Sequence, residues 1–325
     1  MHDWYLWLTP IAVAAIVFLF AFVGCSSFSG ADMPTSYHDD VVADAPVMYL
    51  RLQERSPAVV VADGVTAKDE MGAHDGTYQK AGSPLPDLPA QLSPPVPTPL
   101  LEGGVGPTLL DTDNSTTSVR VRGARVEVPF AATLNATAFT LEILVEPEWD
   151  LTVQGRYYSV FESTDQQTAA SNKSKRRGYA LYAGPADPST PNTPYVWQVW
   201  SGNGTDFKRV PQPAATPTNP GPVVEAKPTY LCVTFDGTKF LMWAYTAGRD
   251  MDAVKYSLGS RAYTPNVNQM LTVGMTGQNR GLLAPFPGPN RAIYPFIGKL
   301  QEVAIYNKAL DPGRVGTHIM GAFLG

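Results

Sequence analysis

Phe296-Ile297-Gly298-Lys299-Leu300-Gln301-Glu302-Val303-Ala304-Ile305-Tyr306-Asn307-Lys308-Ala309-Leu310 is the stretch whose reading decides the fold. Leu300, Val303 and Ile305 stand among polar neighbours as in a half-buried strand, and Gly298 marks a point where that strand bends or passes close to another backbone. Segments of the same kind recur along the chain between Pro- and Gly-rich turns: Val47–Leu52, Val119–Val128, Phe139–Val145, Tyr157–Glu162, Gly178–Ala183, Tyr195–Ser201, Thr229–Phe235, Lys239–Ala244 and Leu271–Met275. Short strands with turn signals between them predict an all-β sandwich or jelly roll of two antiparallel sheets.

Composition agrees. With 30 Pro, 28 Gly, 15 Tyr and only 16% charged residues in 325, the chain suits short strands and many turns better than helical bundles or disorder. The net charge of −5 excludes a nucleic-acid partner, because the only dense basic cluster is Lys173, Lys175, Arg176 and Arg177 in a loop-like setting. Cys25 ends an apolar run and Cys232 lies inside a strand-like segment, so the two cysteines do not read as a disulfide framework.

Outside the strands, Ser36 to Pro46 predicts one short helix, capped by Ser36, with Asp39 and Asp40 near its start and Pro46 closing it. After it, helical pattern is confined to a turn at Pro312–Met320. Three proline-rich loops, Ser83–Pro107, Pro211–Pro228 and Ala284–Pro295, are barred by proline from joining a sheet. Asp236-Gly237 supplies the turn of a hairpin between two strands.

The N-terminus differs from the rest. No charged residue occurs from Trp4 to Gly24, and a helix of about 20 residues spans the ~30 Å of a bilayer core. The domains read as a transmembrane or signal-anchor helix over 1–27, a linker over 28–35 and one large domain over 36–325. A competing reading makes Phe22-Val23-Gly24-Cys25 a lipoprotein cleavage box with lipid on Cys25, although the N-region carries no Lys or Arg. Both readings tether the chain to a membrane and place its bulk outside the cytoplasm, at the periplasm or cell surface.

Several blocks together resemble a known family. Ala43-Asp44-Ala45-Pro46-Val47-Met48-Tyr49-Leu50-Arg51-Leu52-Gln53-Glu54 is similar to the opening strand of bacterial laminin-G-like domains, with Leu50 where that family has Trp. Ala67-Lys68-Asp69-Glu70-Met71-Gly72-Ala73-His74-Asp75-Gly76-Thr77-Tyr78 resembles the turn that follows it. Phe139-Thr140-Leu141-Glu142, Tyr230–Thr238 and the closing block Phe296–Leu310, with Arg314 and His318 beyond it, agree. The resemblance covers residues 36 to 325 and implies a concanavalin A/laminin-G-like jelly roll. Its members bind sugars, proteins or one another, so it implies a binding module without naming the ligand.

Catalysis was tested on the strand where sandwich glycoside hydrolases carry Glu-x-Asp-x-Glu. Here Glu142-Ile143-Leu144-Val145-Glu146 lacks the central Asp, which predicts a non-catalytic chain. No nucleophile elbow or phosphate loop occurs, and His2, His38, His74 and His318 are scattered. Asp69, Asp75, Asp111 and Asp113 are oxygen-rich turn positions, candidates for a structural calcium ion but without full ligand spacing; no other cofactor is implied. For sugar stacking the candidates are Trp197, Trp200, Trp243 and Tyr245. Strand period two puts Trp197 and Trp200 on opposite faces. The expected function is a membrane-anchored cell-envelope module binding glycan or another surface macromolecule, a protein partner included; the alternative is an accessory subunit of a larger membrane complex.

Overall fold

The computed structural model describes residues 36–54, 64–80, 100–105, 109–110, 117–149, 151, 157–165, 175–187, 193–210, 222–248, 255–276 and 294–324. Residues 36–325 form one compact unit. The apolar segment with Cys25, the linker, Asp111, Asp113 and most of the three proline-rich loops lie outside the described residues. Among the described residues no helix is long and apolar enough to cross a membrane.

The unit is a sandwich of two eight-stranded antiparallel sheets. Sheet I runs β14 (Lys255–Ser260), β13 (Lys239–Thr246), β12 (Thr229–Phe235), β7 (Phe139–Pro147), β16 (Ile297–Tyr306), β5 (Ser118–Arg122) and β4 (Leu100–Val105), with β1 (Met48–Leu50) also on β16. Sheet II runs β11 (Phe207–Arg209), β10 (Tyr195–Asn203), β9 (Arg177–Pro185), β8 (Tyr158–Thr164), β15 (Leu271–Val273), β6 (Ala124–Val128), β3 (Gly76–Lys80) and β2 (Thr66–Ala67). The expected strand over 119–128 is two: Gly123, at φ 68°, turns the chain so that β5 joins one sheet and β6 the other. The first proline-rich loop contains a strand, β4, at its end.

Alternation along the strands explains the layers. In β7, Phe139, Leu141, Ile143 and Val145 enter the core between the sheets, while Thr140, Glu142 and Leu144 face the other way. That outer face of sheet I is covered by α1 (Tyr37–Ala43) and α2 (Pro312–Phe323). Helix α2 extends past the single turn expected there. Asp311 caps it by accepting from the Gly313 and Arg314 amides at 2.9 and 3.1 Å, Pro312 opens it, and Val315, Ile319, Ala322 and Phe323 line its buried side.

A second apolar layer results, in which Tyr37 and Val41 of α1 pack with Tyr230, Trp243, Tyr245 and Tyr306 of the sheet. Charged groups in that layer are paired, while the Tyr230 and Tyr306 hydroxyls are buried without a hydrogen-bond partner. His318 Nδ1 lies 2.9 and 3.0 Å from the two carboxylate oxygens of Glu142, and its Nε2 is 3.0 Å from Asp44, close enough for an ion pair but off the hydrogen-bond direction. Arg314 donates to Asp44 at 2.9 Å, clasping α2 to the end of α1.

Strand β16 carries the irregularity that organises this layer. Its register against β7 shifts between Gln301 and Ala304, and Glu302 takes a left-handed φ of 54°. The bulge brings Leu300, Val303 and Ile305 onto one face despite their uneven spacing, and turns Glu302 outward to Tyr49, Arg51 and Gln53.

Candidate functional site

The outer face of sheet II gathers the chemistry. Paired positions run across six strands as Glu127, Thr272, Glu162, Ala180, Trp200 and Arg209, and residues opposite one another in a ladder share a face. A shorter row beside it holds Ser159, Tyr182 and Gln198. A bulge in β8 between Ser159 and Phe161 lets both Ser159 and Glu162 point outward.

The floor of this face is polar and buried. Glu162 is 2% exposed and accepts from Thr164 Oγ1 at 2.7 Å and Tyr182 OH at 3.4 Å. Burial raises its pKa above the ordinary carboxylate value, against the opposing pull of Arg176 and these hydrogen bonds. Two strands away, about 10 Å between Cα atoms at the usual strand spacing, Glu127 is held by Arg125, whose Nε donates to it at 2.7 Å. Ser159 Oγ, Thr272 Oγ1 and Arg176 Nε are buried on this side without a hydrogen-bond partner, and natural folds leave few such groups.

Around the floor stands an aromatic rim. Tyr157, Trp200, Tyr294 and Phe207 are half-buried, and Tyr182 is buried among them. Trp200 meets Tyr157 and Tyr182 edge-on at 6.3 and 6.2 Å and lies nearly parallel to Phe207 at 5.9 Å. Tyr157 lies over Gly184, where a Cβ would meet its ring. Tyr294 has a φ of 52°, a left-handed backbone uncommon for a bulky residue, and packs on Tyr157 and Tyr182 at 5.8 and 6.0 Å. Arg176 completes the rim, its guanidinium 5.6 Å from the Phe207 ring centre.

Of the four aromatic residues singled out from the sequence, only Trp200 is on this face. Trp197 is fully buried between the sheets and offers no ring to a ligand. Trp243 and Tyr245 are each 3% exposed beneath the helical layer, Tyr245 against Phe323 at 5.1 Å, because α2 covers the strand that presents them.

The acidic positions are likewise accounted for. Asp69 accepts four backbone amides, from Tyr49, Met71, Ala73 and His74 at 2.8 to 3.1 Å, and Asp75 accepts from the Asp69 amide and Lys68 Nζ at 2.9 and 2.7 Å. Backbone amides and the Lys68 ammonium thus engage both carboxylates. Among the described residues no group of three or more His, Cys, Asp or Glu side chains is placed to hold a metal ion. Cys232 is a buried free thiol.

The sequence reading missed Glu162, Arg176, Tyr157, Tyr182 and Tyr294. A usable signal was the acidic Glu162 directly after Tyr158-Ser159-Val160-Phe161, but simple alternation fails across the bulge.

No protein-family model matches the chain, and no curated protein does. Solved structures that are similar include domain 4 of an extracellular GH43 arabinanase from Geobacillus stearothermophilus in complex with arabinotriose, 14% identical with a TM-score of 0.43 over 77% of this chain and 91% of that one. A Trypanosoma rangeli sialidase in complex with the inhibitor DANA is 11% identical with a TM-score of 0.44, covering 85% of this chain and 32% of that one. The Ruminococcus gnavus IT-sialidase CBM40 bound to alpha2,3 sialyllactose is 13% identical with a TM-score of 0.37, covering 57% of this chain and 85% of that one.

The expectation of a non-catalytic chain is corrected here, since glycoside hydrolases stand among these neighbours. Its basis was the strand at 142–146, and that strand is not where this sandwich displays its outward carboxylates. Glu142 is locked to His318 and Glu146 to Lys299 at 2.6 Å in sheet I, whereas Glu127 and Glu162 face outward from sheet II.

Proposed function

We propose that the chain is a membrane-tethered laminin-G-like jelly roll, held outside the cytoplasm by its apolar N-terminal segment, that engages glycan through the outer face of sheet II. The observation that carries the reading is the rim of Trp200 and the half-buried Arg176 standing beside the buried Glu162 floor. A pyranose has an apolar face and an equatorial ring of hydroxyls. The half-buried indole takes the first, and the half-buried Arg176 supplies donors for the second, above a floor made polar by Ser159, Thr272 and Glu162.

Rigidity favours the same reading. Trp200 is braced by Tyr157, Tyr182 and Phe207, so little side-chain freedom is lost when a ring settles on it. The uncharged stretch from Trp4 to Gly24 supports the tether, and the matching blocks at 43–54, 67–78 and 296–310 support the family assignment.

The test is a glycan array probed with the purified full chain in detergent. Trp200→Ala is expected to weaken binding of any positive glycan by at least about tenfold, ~1.4 kcal/mol. Val42→Ala, exposed on α1, is expected to bind like the parent. Equal binding by the parent and Trp200→Ala contradicts the assignment of this face.

A further inference from the structure

We propose that the glycan taken by this face is an acidic one, carrying a carboxylate on the ring received by Arg176; this deepens the glycan reading and rests on it. Arg176 is set up as an anion receptor by its surroundings. Its Nη1 stands 3.8 Å from Glu162 Oε1, outside hydrogen-bond reach, and its Nε is buried without an acceptor. The side chain as a whole is 24% exposed.

The other charges on the face are already committed. Glu162 has one oxygen taken by Thr164 and the other by Tyr182, and Arg125 is held by Glu127 through two N–H groups on one oxygen. Arg209, paired with Trp200 across β10 and β11, donates Nη1 to the Ala186 carbonyl at 2.8 Å and adds a second positive charge beside the indole. An uncommitted guanidinium N–H in a buried setting calls for an acceptor, and a planar carboxylate matches its fork geometry.

Distances along the rim fit a single monosaccharide. Phe207 lies under the Arg176 guanidinium and beside Trp200, 5.6 and 5.9 Å from each by ring centre. A pyranose on the indole would therefore place a ring substituent over Phe207, toward Arg176. Arg176 is a binding and specificity residue in this account.

The experiment compares paired oligosaccharides, a uronic-acid oligomer and the same oligomer after carboxyl reduction to the neutral sugar, titrated against the full chain in detergent. The acidic member is expected to bind more tightly by roughly tenfold or more, the scale of a charge-assisted hydrogen bond. Arg176→Gln is expected to abolish that preference by weakening the acidic member more than the neutral one, and Trp200→Ala to weaken both. Thermal unfolding of each variant checks that it folds, and Arg176→Lys, which keeps the charge, is expected to restore only part of the preference. Equal affinity for the two members overturns the acidic assignment and leaves the glycan reading standing. Absence of binding by either, with an array negative for all glycans, overturns both. A sulfated oligomer that binds while the uronic one does not also overturns the carboxylate assignment.

Discussion

His318 joins three separated parts of the chain, since its ring lies between Glu142 of β7 and Asp44 at the end of α1 while belonging to α2. Burial disfavours the imidazolium, but the carboxylates of Glu142 and Asp44 outweigh it, and the His318 pKa is raised. The folded chain therefore holds this proton longer than the unfolded chain. Its stabilisation is complete below the ordinary histidine value of about 6.5 and is lost as pH rises through the folded value. In urea unfolding, the midpoint of the parent is expected to fall as pH rises above neutrality. His318→Asn, which leaves Glu142 without its buried partner, is expected to cost about 3–5 kcal/mol at pH 6 and to flatten that dependence. An unchanged pH slope in the variant would assign the effect to other groups.

Single residues also show where reading the sequence succeeded. Ser36, Asp39, Pro46 and Asp236-Gly237 act through local backbone chemistry and were legible. Ser36 Oγ accepts from the Asp39 amide at 3.2 Å, and Asp236 Oδ1 accepts from the Thr238 and Lys239 amides at 2.7 and 2.8 Å, with Gly237 at φ 97°. Trp243 and Tyr245 were not, because a solvent-facing strand residue and one beneath a helix have the same local pattern. Only α2 distinguishes them.

Elements in this fold are defined by their departures from regularity. Gly298 sits in β16 at φ 146°, where a Cβ would overlap the carbonyl of Glu146 in the neighbouring strand. Gly298→Ala is expected to destabilise the chain by a few kcal/mol, about 1–3 from the backbone strain alone, read as a lower urea midpoint. A wild-type midpoint would mean that β16 and β7 move apart at no cost. The bulge at Glu302 matters differently, since it restores alternation after an uneven apolar spacing. The spacing 300, 303, 305 recorded the bulge in the sequence, but a strict period of two has no place for it. The same holds in β8, where the bulge after Ser159 sets Glu162 on the outer face of sheet II.

At the scale of the molecule, the sandwich has two unlike outer faces. Sheet I is closed by α1 and α2 over aromatic and charged residues, and sheet II presents a polar floor with an aromatic rim. The proposed glycan face is therefore on the sheet that these two helices do not cover. Deleting residues 311–325 is expected to expose Trp243, Tyr245 and Tyr306, raising hydrophobic-dye binding and removing cooperative unfolding. A truncated chain that unfolds cooperatively and binds no dye would reduce α2 to decoration.

The all-β, two-sheet architecture was readable from strand period and turn residues, because both are local. Which face carries the site was not, since it depends on where two helices distant in sequence come to rest and on bulges that invert side-chain direction. The central claim is that glycan lies on sheet II. Hydrogen exchange of the full chain, with and without a glycan that binds it, tests this directly. Added protection is expected at 158–164, 177–185 and 195–209, with β12, β13 and α2 unchanged. Protection confined to β12, β13 or the helices would contradict it.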